Sequence, residues 1–245
     1  MLPLIVWERP RGLLGRRILR RYGYVRAVVN IANRLRAFPL IALLAIGIAA
    51  GARGEAPASP RILALGDSLT AGLGLAPQES FPARLQAKLG AAGVDAQVVN
   101  GGVSGDTSAG GLARLDWALA DHPDLVLVEL GANDALRGID PQLTYANLDK
   151  ILTRLKAAGT KIMLLGMRAP PNWGRHYQAQ FDAIFPDLAA KHHVPLYPFF
   201  LEGVALDPAL NQSDGLHPTA HGADIIAGRI APLVARLLAD KATQG

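Results

Sequence analysis

Arg61-Ile62-Leu63-Ala64-Leu65-Gly66-Asp67-Ser68-Leu69 opens with an apolar run and breaks at once into Gly-Asp-Ser. A short apolar run that ends at glycine and shows no polar alternation predicts a strand buried on both faces. Four more runs of this kind follow: Ala96–Val99, Leu125–Leu130, Ile162–Leu165 and Val194–Tyr197. Between and after them lie segments with helical periodicity, at Ser80–Ala92, Thr107–Ala120, Gln142–Ala158, Arg175–Lys191 and Thr219–Ala239. Strand and helix in alternation predict βαβ units, hence an α/β domain with a mostly parallel five-stranded sheet covered by helices.

The chain has 245 residues, enough for one domain with a substantial core, and half of them are apolar. A net charge of +5 invites a nucleic-acid or membrane reading, but the charge is not spread evenly. Residues 1–56 hold ten of the 25 basic side chains and only Glu8 and Glu55 of the 20 acidic ones, so the body is slightly acidic. No nucleic-acid partner is therefore expected. The chain lacks cysteine, which excludes a thiolate nucleophile, a thiolate metal site and disulfide stapling.

The basic segment reads as a leader. Arg34 and Arg36 precede sixteen uncharged residues, Ala37 to Ala52, and small residues follow at Ala50-Gly51-Ala52 and Gly54-Glu55-Ala56. A membrane span needs about 20 apolar residues, so this length suits a signal peptide better than an anchor. An uncleaved anchor is the alternative. The expected organisation is a leader with linker over 1–56 and a folded domain over 57–245, exported to the periplasm or secreted. Residues 1–33 are a longer basic preface than such a leader needs, which predicts translation starting nearer Val28 or Val29.

In an open parallel sheet, reactive groups collect beyond the carboxyl ends of the strands. Polar clusters stand there: Gly66-Asp67-Ser68, Asn100–Asp106, Gly131-Ala132-Asn133-Asp134, Gly166-Met167-Arg168, and Ser213–Pro218 before the last helix. A serine hydroxyl needs an adjacent base to act as a nucleophile. Asp214 and His217, three residues apart at a helix entrance, can set a carboxylate and an imidazole on one side of a turn, with Pro218 suited to the first helical position. Ser68, Asp214 and His217 thus form a possible triad. The backbone N–H groups of Ser68 and Gly105 and the amide of Asn133 are possible donors to an oxyanion.

Gly66-Asp67-Ser68-Leu69, Gly105 within Val103–Ser108, Gly131–Asp134 and Asp214–Pro218 resemble, in order, the four signature blocks of the SGNH/GDSL hydrolases. Ser104–Leu115 and Val126–Asp134 are similar to the thioesterase I/lysophospholipase and arylesterase branch, and the likeness spans roughly Arg61 to Leu238. The resemblance implies a three-layer α/β/α flavodoxin-like fold without a large lid. It also implies Ser68, His217 and Asp214 as triad, Ser68, Gly105 and Asn133 as oxyanion hole, and ester or thioester substrates with no metal or organic cofactor. Ala132 stands where some relatives have glycine.

Each residue also has a plainer reading. Asp67 and Ser68 can cap a helix, Asp214 can cap the last helix, and Asn133 can satisfy a turn. His217 with His221 at i+4 has a metal-like spacing, but lacks the glutamate that follows the first histidine of a zinc-protease helix. Asp106 is expected to cap the helix that begins near Thr107, and Asp67 and Asp134 to be structural. Arg137 and Arg168 can meet an anionic head group or be solvated loop charges. Leu73, Leu136, Ile139 and Trp173 are proposed to line an acyl groove. The expectation is a monomeric esterase or thioesterase acting on a small acyl substrate, touching membrane only through an uncleaved leader. A carbohydrate O-acetylesterase and a non-catalytic binding module are the alternatives.

Overall fold

The computed structural model describes residues 59–240, so the leader reading lies outside the described residues. Five strands, β1 (Arg61–Gly66), β2 (Gln97–Gly102), β3 (Leu125–Glu129), β4 (Lys161–Leu165) and β5 (Leu196–Tyr197), form one all-parallel sheet in the order β2-β1-β3-β4-β5. The central strands are buried on both faces, as their unbroken apolar runs require: Ile62, Leu65, Leu125, Val126, Leu127, Val128 and Leu164 are fully inaccessible.

The chain leaves β1 toward one sheet edge and afterwards travels toward the other. Right-handed crossovers therefore divide the helices between two faces. Helix α2 (Phe81–Ala91) packs with α8 (Ala220–Ala239), while α6 (Pro141–Ala157) packs with α7 (Gly174–His192) and α3 (Ser108–Ala113). Each turns a stripe at three- and four-residue spacing to the sheet, such as Thr144, Leu148, Ile151, Leu152 and Leu155 of α6. Phe81 of α2 meets Phe200 edge to face at 5.0 Å, closing the core beneath the last loops. The result is the expected α/β/α architecture.

Three expectations need correction. The single helix over Thr107–Ala120 is two, α3 and α4 (Leu115–Ala118), broken at Arg114, whose backbone (φ −100°, ψ 8°) turns its side chain back toward Asp106 and Gly66. The last strand shrinks to two residues because Pro195 has no N–H and Val194 spends its own on Ala189 at the end of α7. Pro218 lies outside α8, whose cap is Thr219.

The reversal of direction between β1 and β3 opens a crevice at their carboxyl ends. Ser68 at the start of α1 (Ser68–Ala71) and Asn133 in α5 (Ala132–Leu136) enter it from the two sides.

Candidate active site

Asp67 follows β1 and caps α1, its Oδ1 accepting the N–H of Leu69 at 3.0 Å, and this sets Ser68 on the first turn with its side chain at the crevice. Ser68 Oγ lies 2.8 Å from His217 Nε2, and His217 Nδ1 lies 2.6 Å from Asp214 Oδ2. Asp214 is not a helix cap. Its Oδ1 accepts the backbone N–H groups of Leu216 and His217, so one carboxylate folds the turn and holds the ring. Those two N–H groups, with the imidazole, draw the Asp214 carboxyl down to about 2.

The turn is held from outside by Gln212, a residue without a sequence signal. Its backbone N–H donates to the carbonyl of His217, and its side-chain Nε2 to the carbonyls of Pro218 and Leu73. Gln212 thereby ties the histidine loop to the loop that follows Ser68.

Gly105 has φ +87°, in the left-handed region that glycine adopts without a Cβ clash. Its carbonyl accepts from Arg137 at 2.9 Å. Asn133 fulfils its plain reading: Nδ2 donates to the carbonyl of Asp106 at 2.9 Å and to Asp67 Oδ2 at 3.1 Å. Asp106 does not cap α3, a task taken by the Thr107 hydroxyl; its carboxylate binds Arg114. Asp134 is buried and accepts from Ser108 and Thr144, which pins α5 to α3 and α6.

Behind the crevice lies an acidic pair. Glu129 is buried with its Oε2 accepting from Thr70 Oγ1 at 2.7 Å, and burial, then the nearby Asp67, push its carboxyl well above the usual carboxylate range. Burial also lifts Asp67 to about 6, against the pull of Leu69 N–H and the Asn133 amide. A raised carboxylate favours the folded state most below its ordinary value of 3.8 and loses that contribution as pH rises through about 6. Asp67→Asn removes this titration. Its unfolding free energy relative to wild type should therefore climb between about pH 4 and pH 6, by on the order of 2 kcal/mol. In the variant Glu129 also loses the Asp67 charge that helps to raise it, which extends the climb to higher pH, so a flat difference from about pH 4 to pH 6 would refute the assignment.

Ser68 and His217 open into a cavity of about 650 Å³. Its wall is mainly apolar, with Leu73, Leu136, Met167, Pro170, Phe199 and Leu206 among its residues. Of the four groove residues expected from sequence, Leu73 and Leu136 are in the wall. Ile139 and Trp173 are not: the Trp173 indole donates to the Ala135 carbonyl and lies beneath Gly138, and the Ile139 carbonyl accepts from Tyr177. Arg168 is in the wall with its guanidinium 4.8 Å over the Phe199 ring, whereas Arg137 is outside the wall. Met167 comes from the cluster that follows the fourth strand, whereas Phe199 and Leu206 were missed because they come from loops distant in sequence.

A parallel α/β/α sheet thus holds a hydroxyl, an imidazole and a carboxylate in hydrogen-bonded series at its switch point, an arrangement that can activate a serine. The model of the GDSL-like lipase/acylhydrolase family matches residues 64–225. An arylesterase of Vibrio mimicus is 45% identical over 175 residues, 71% of this chain and 88% of its own. Thioesterase 1/protease 1/lysophospholipase L1 of Escherichia coli (strain K12) is 46% identical over 185 residues, with coverage of 74% and 88%. The crystal structure of AlinE4, an SGNH-hydrolase family esterase, is 49% identical and superposes with a TM-score of 0.62 over 74% of this chain and 97% of that one. The chain belongs to the GDSL-like lipase/acylhydrolase family. It is an ester hydrolase, which sets aside the binding-module alternative.

Proposed function

We propose that the chain hydrolyses esters and thioesters of medium or long acyl groups by two-step transfer through Ser68. Ser68 attacks the acyl carbonyl while His217 takes its proton, and Asp214 holds the tautomer and steadies the imidazolium. The oxyanion forms beside the N–H groups of Ser68 and Gly105 and the amide of Asn133, which keeps one hydrogen on the Asp106 carbonyl and turns the other from Asp67 to the oxyanion. His217 then protonates the departing alcohol or thiol, and later activates the water that frees the acid. The 2.8 Å contact of Ser68 with His217 at an apolar cavity, continued by the 2.6 Å contact of His217 with Asp214 outside its wall, carries this reading.

The leaving-group range follows the relatives, which are named arylesterase and thioesterase/lysophospholipase. The acyl length follows the cavity, since an acetyl group would leave most of about 650 Å³ unfilled. The same reading makes the enzyme an exported monomer that meets a membrane only through an uncleaved leader; the basic, apolar and small-residue order of residues 34–56 supports export.

The test is a set of initial rates with p-nitrophenyl esters from acetyl to palmitoyl, and with palmitoyl-CoA. Rates per unit enzyme should peak at medium or long chains and include the thioester. Turnover confined to acetyl esters would replace this reading with the O-acetylesterase one.

A further inference from the structure

Arg114 takes no part in the proton relay, yet it joins the segments that carry all three proposed oxyanion donors. Its Nε donates to Asp106 Oδ2 at 2.6 Å and its Nη2 to the carbonyl of Gly66 at 2.9 Å. Gly66 stands two residues before Ser68, and Asp106 directly follows Gly105. The carbonyl of Asp106 accepts in turn from the Asn133 amide, and the carbonyl of Gly66 also receives the N–H of Val103 at the start of the Gly105 loop.

We infer that Arg114, acting through Asp106, is a positioning residue for the oxyanion hole. Its fork fixes the spacing and direction of the Ser68 and Gly105 N–H groups and of the Asn133 amide relative to one another. The inference rests on the proposed roles of those three donors.

Several independent features of the chain converge on this pair. Both side chains are largely buried, 17% and 16% exposed, so the pair is not a solvated surface contact. Arg114 uses two different nitrogens on two acceptors from different segments, a geometry the single ammonium of lysine cannot reproduce. Gly110 leaves room for it: a Cβ there would lie 2.5 Å from Asp106 Oδ1. The helix breaks at Arg114 itself, which turns the guanidinium back to the site. Since Thr107 caps α3, the carboxylate of Asp106 is free for this use.

A staple that merely held the loop would lower stability and leave chemistry in the folded molecules intact. A frame for the oxyanion donors changes transition-state binding alone. The experiment compares Arg114→Lys and Asp106→Asn in the full chain, using kcat and KM for p-nitrophenyl butyrate. It adds the affinity for an alkyl boronic acid, whose serine adduct places an oxygen where the oxyanion forms, and for butyrate as ground-state ligand. Arg114→Lys should lose about 10- to 100-fold in kcat, with KM within about twofold. Boronate affinity should fall in step while butyrate affinity holds. Asp106→Asn should show the same pattern more weakly, and it carries the test if Arg114→Lys does not fold. The double variant should be no worse than Arg114→Lys, because the two act as one unit.

Folded variants with kcat within twofold of wild type would overturn the inference, as would a kcat loss without a matching loss of boronate affinity. Ser68→Ala assayed alongside separates the two levels. An inactive Ser68→Ala beside a fully active Arg114→Lys defeats this inference alone, and an active Ser68→Ala defeats the reading beneath it.

Discussion

Ser68→Ala should reduce kcat on every ester and thioester by roughly 10⁴-fold or more while the protein keeps its circular dichroism and melting temperature. The Oγ atom is the one group at the cavity floor with both a nucleophilic oxygen and a base at 2.8 Å. Its removal leaves water as the attacking species, with only binding and the oxyanion donors to help it. The fold has little stake in this atom. Its hydrogen bond to His217 is worth about 1 kcal/mol, whereas the turn that carries it is held by Asp67 and the α1 backbone. KM should change little, because the apolar wall is untouched. Turnover close to wild type would refute the nucleophile assignment outright.

His217→Ala should be nearly as severe, roughly 10⁴-fold in kcat, and it adds a check that no packing effect can imitate. Without the imidazole the hydroxyl has no base in reach, since the nearby carboxyl groups are committed: Asp67 to Leu69 and Asn133, Glu129 to Thr70, Asp106 to Arg114. The residual rate should therefore rise steeply with pH as hydroxide takes over. Combining His217→Ala with Ser68→Ala should cost little beyond either alone, because both remove the same step. Independent, multiplying losses would show that the two do not act as a pair.

The element plan was legible because each strand is a run without alternation, and only a doubly covered parallel sheet buries such a run. Half of the proposed triad was legible for a local reason, since Asp214 and His217 share one turn. Ser68 lies 149 residues from His217, and that pairing was read from the order of the four blocks and their resemblance to the SGNH/GDSL hydrolases. Where no block resembled a known one, local reasoning failed to name a residue's partner. Asp106 read as a cap because its neighbour is a helix start; its actual partner, Arg114, is available only because the helix breaks there. Trp173 read as groove lining because it is large and apolar, while its indole is spent on the Ala135 carbonyl.

By itself, then, the order of residues determined the layered sheet, the place of the site beyond its strand ends and the identity of the catalytic set proposed here. The sheet and the place of the site depend on periodicity, which the backbone converts directly into geometry, and the catalytic set on blocks that resemble a known family in order. Only the tertiary structure decided the wall of the cavity, the Gln212 tie across the histidine loop and the Arg114 fork beneath the oxyanion donors. Each of these joins side chains to groups on other elements, and such meetings are settled by how helices and loops pack over the sheet rather than by any local pattern.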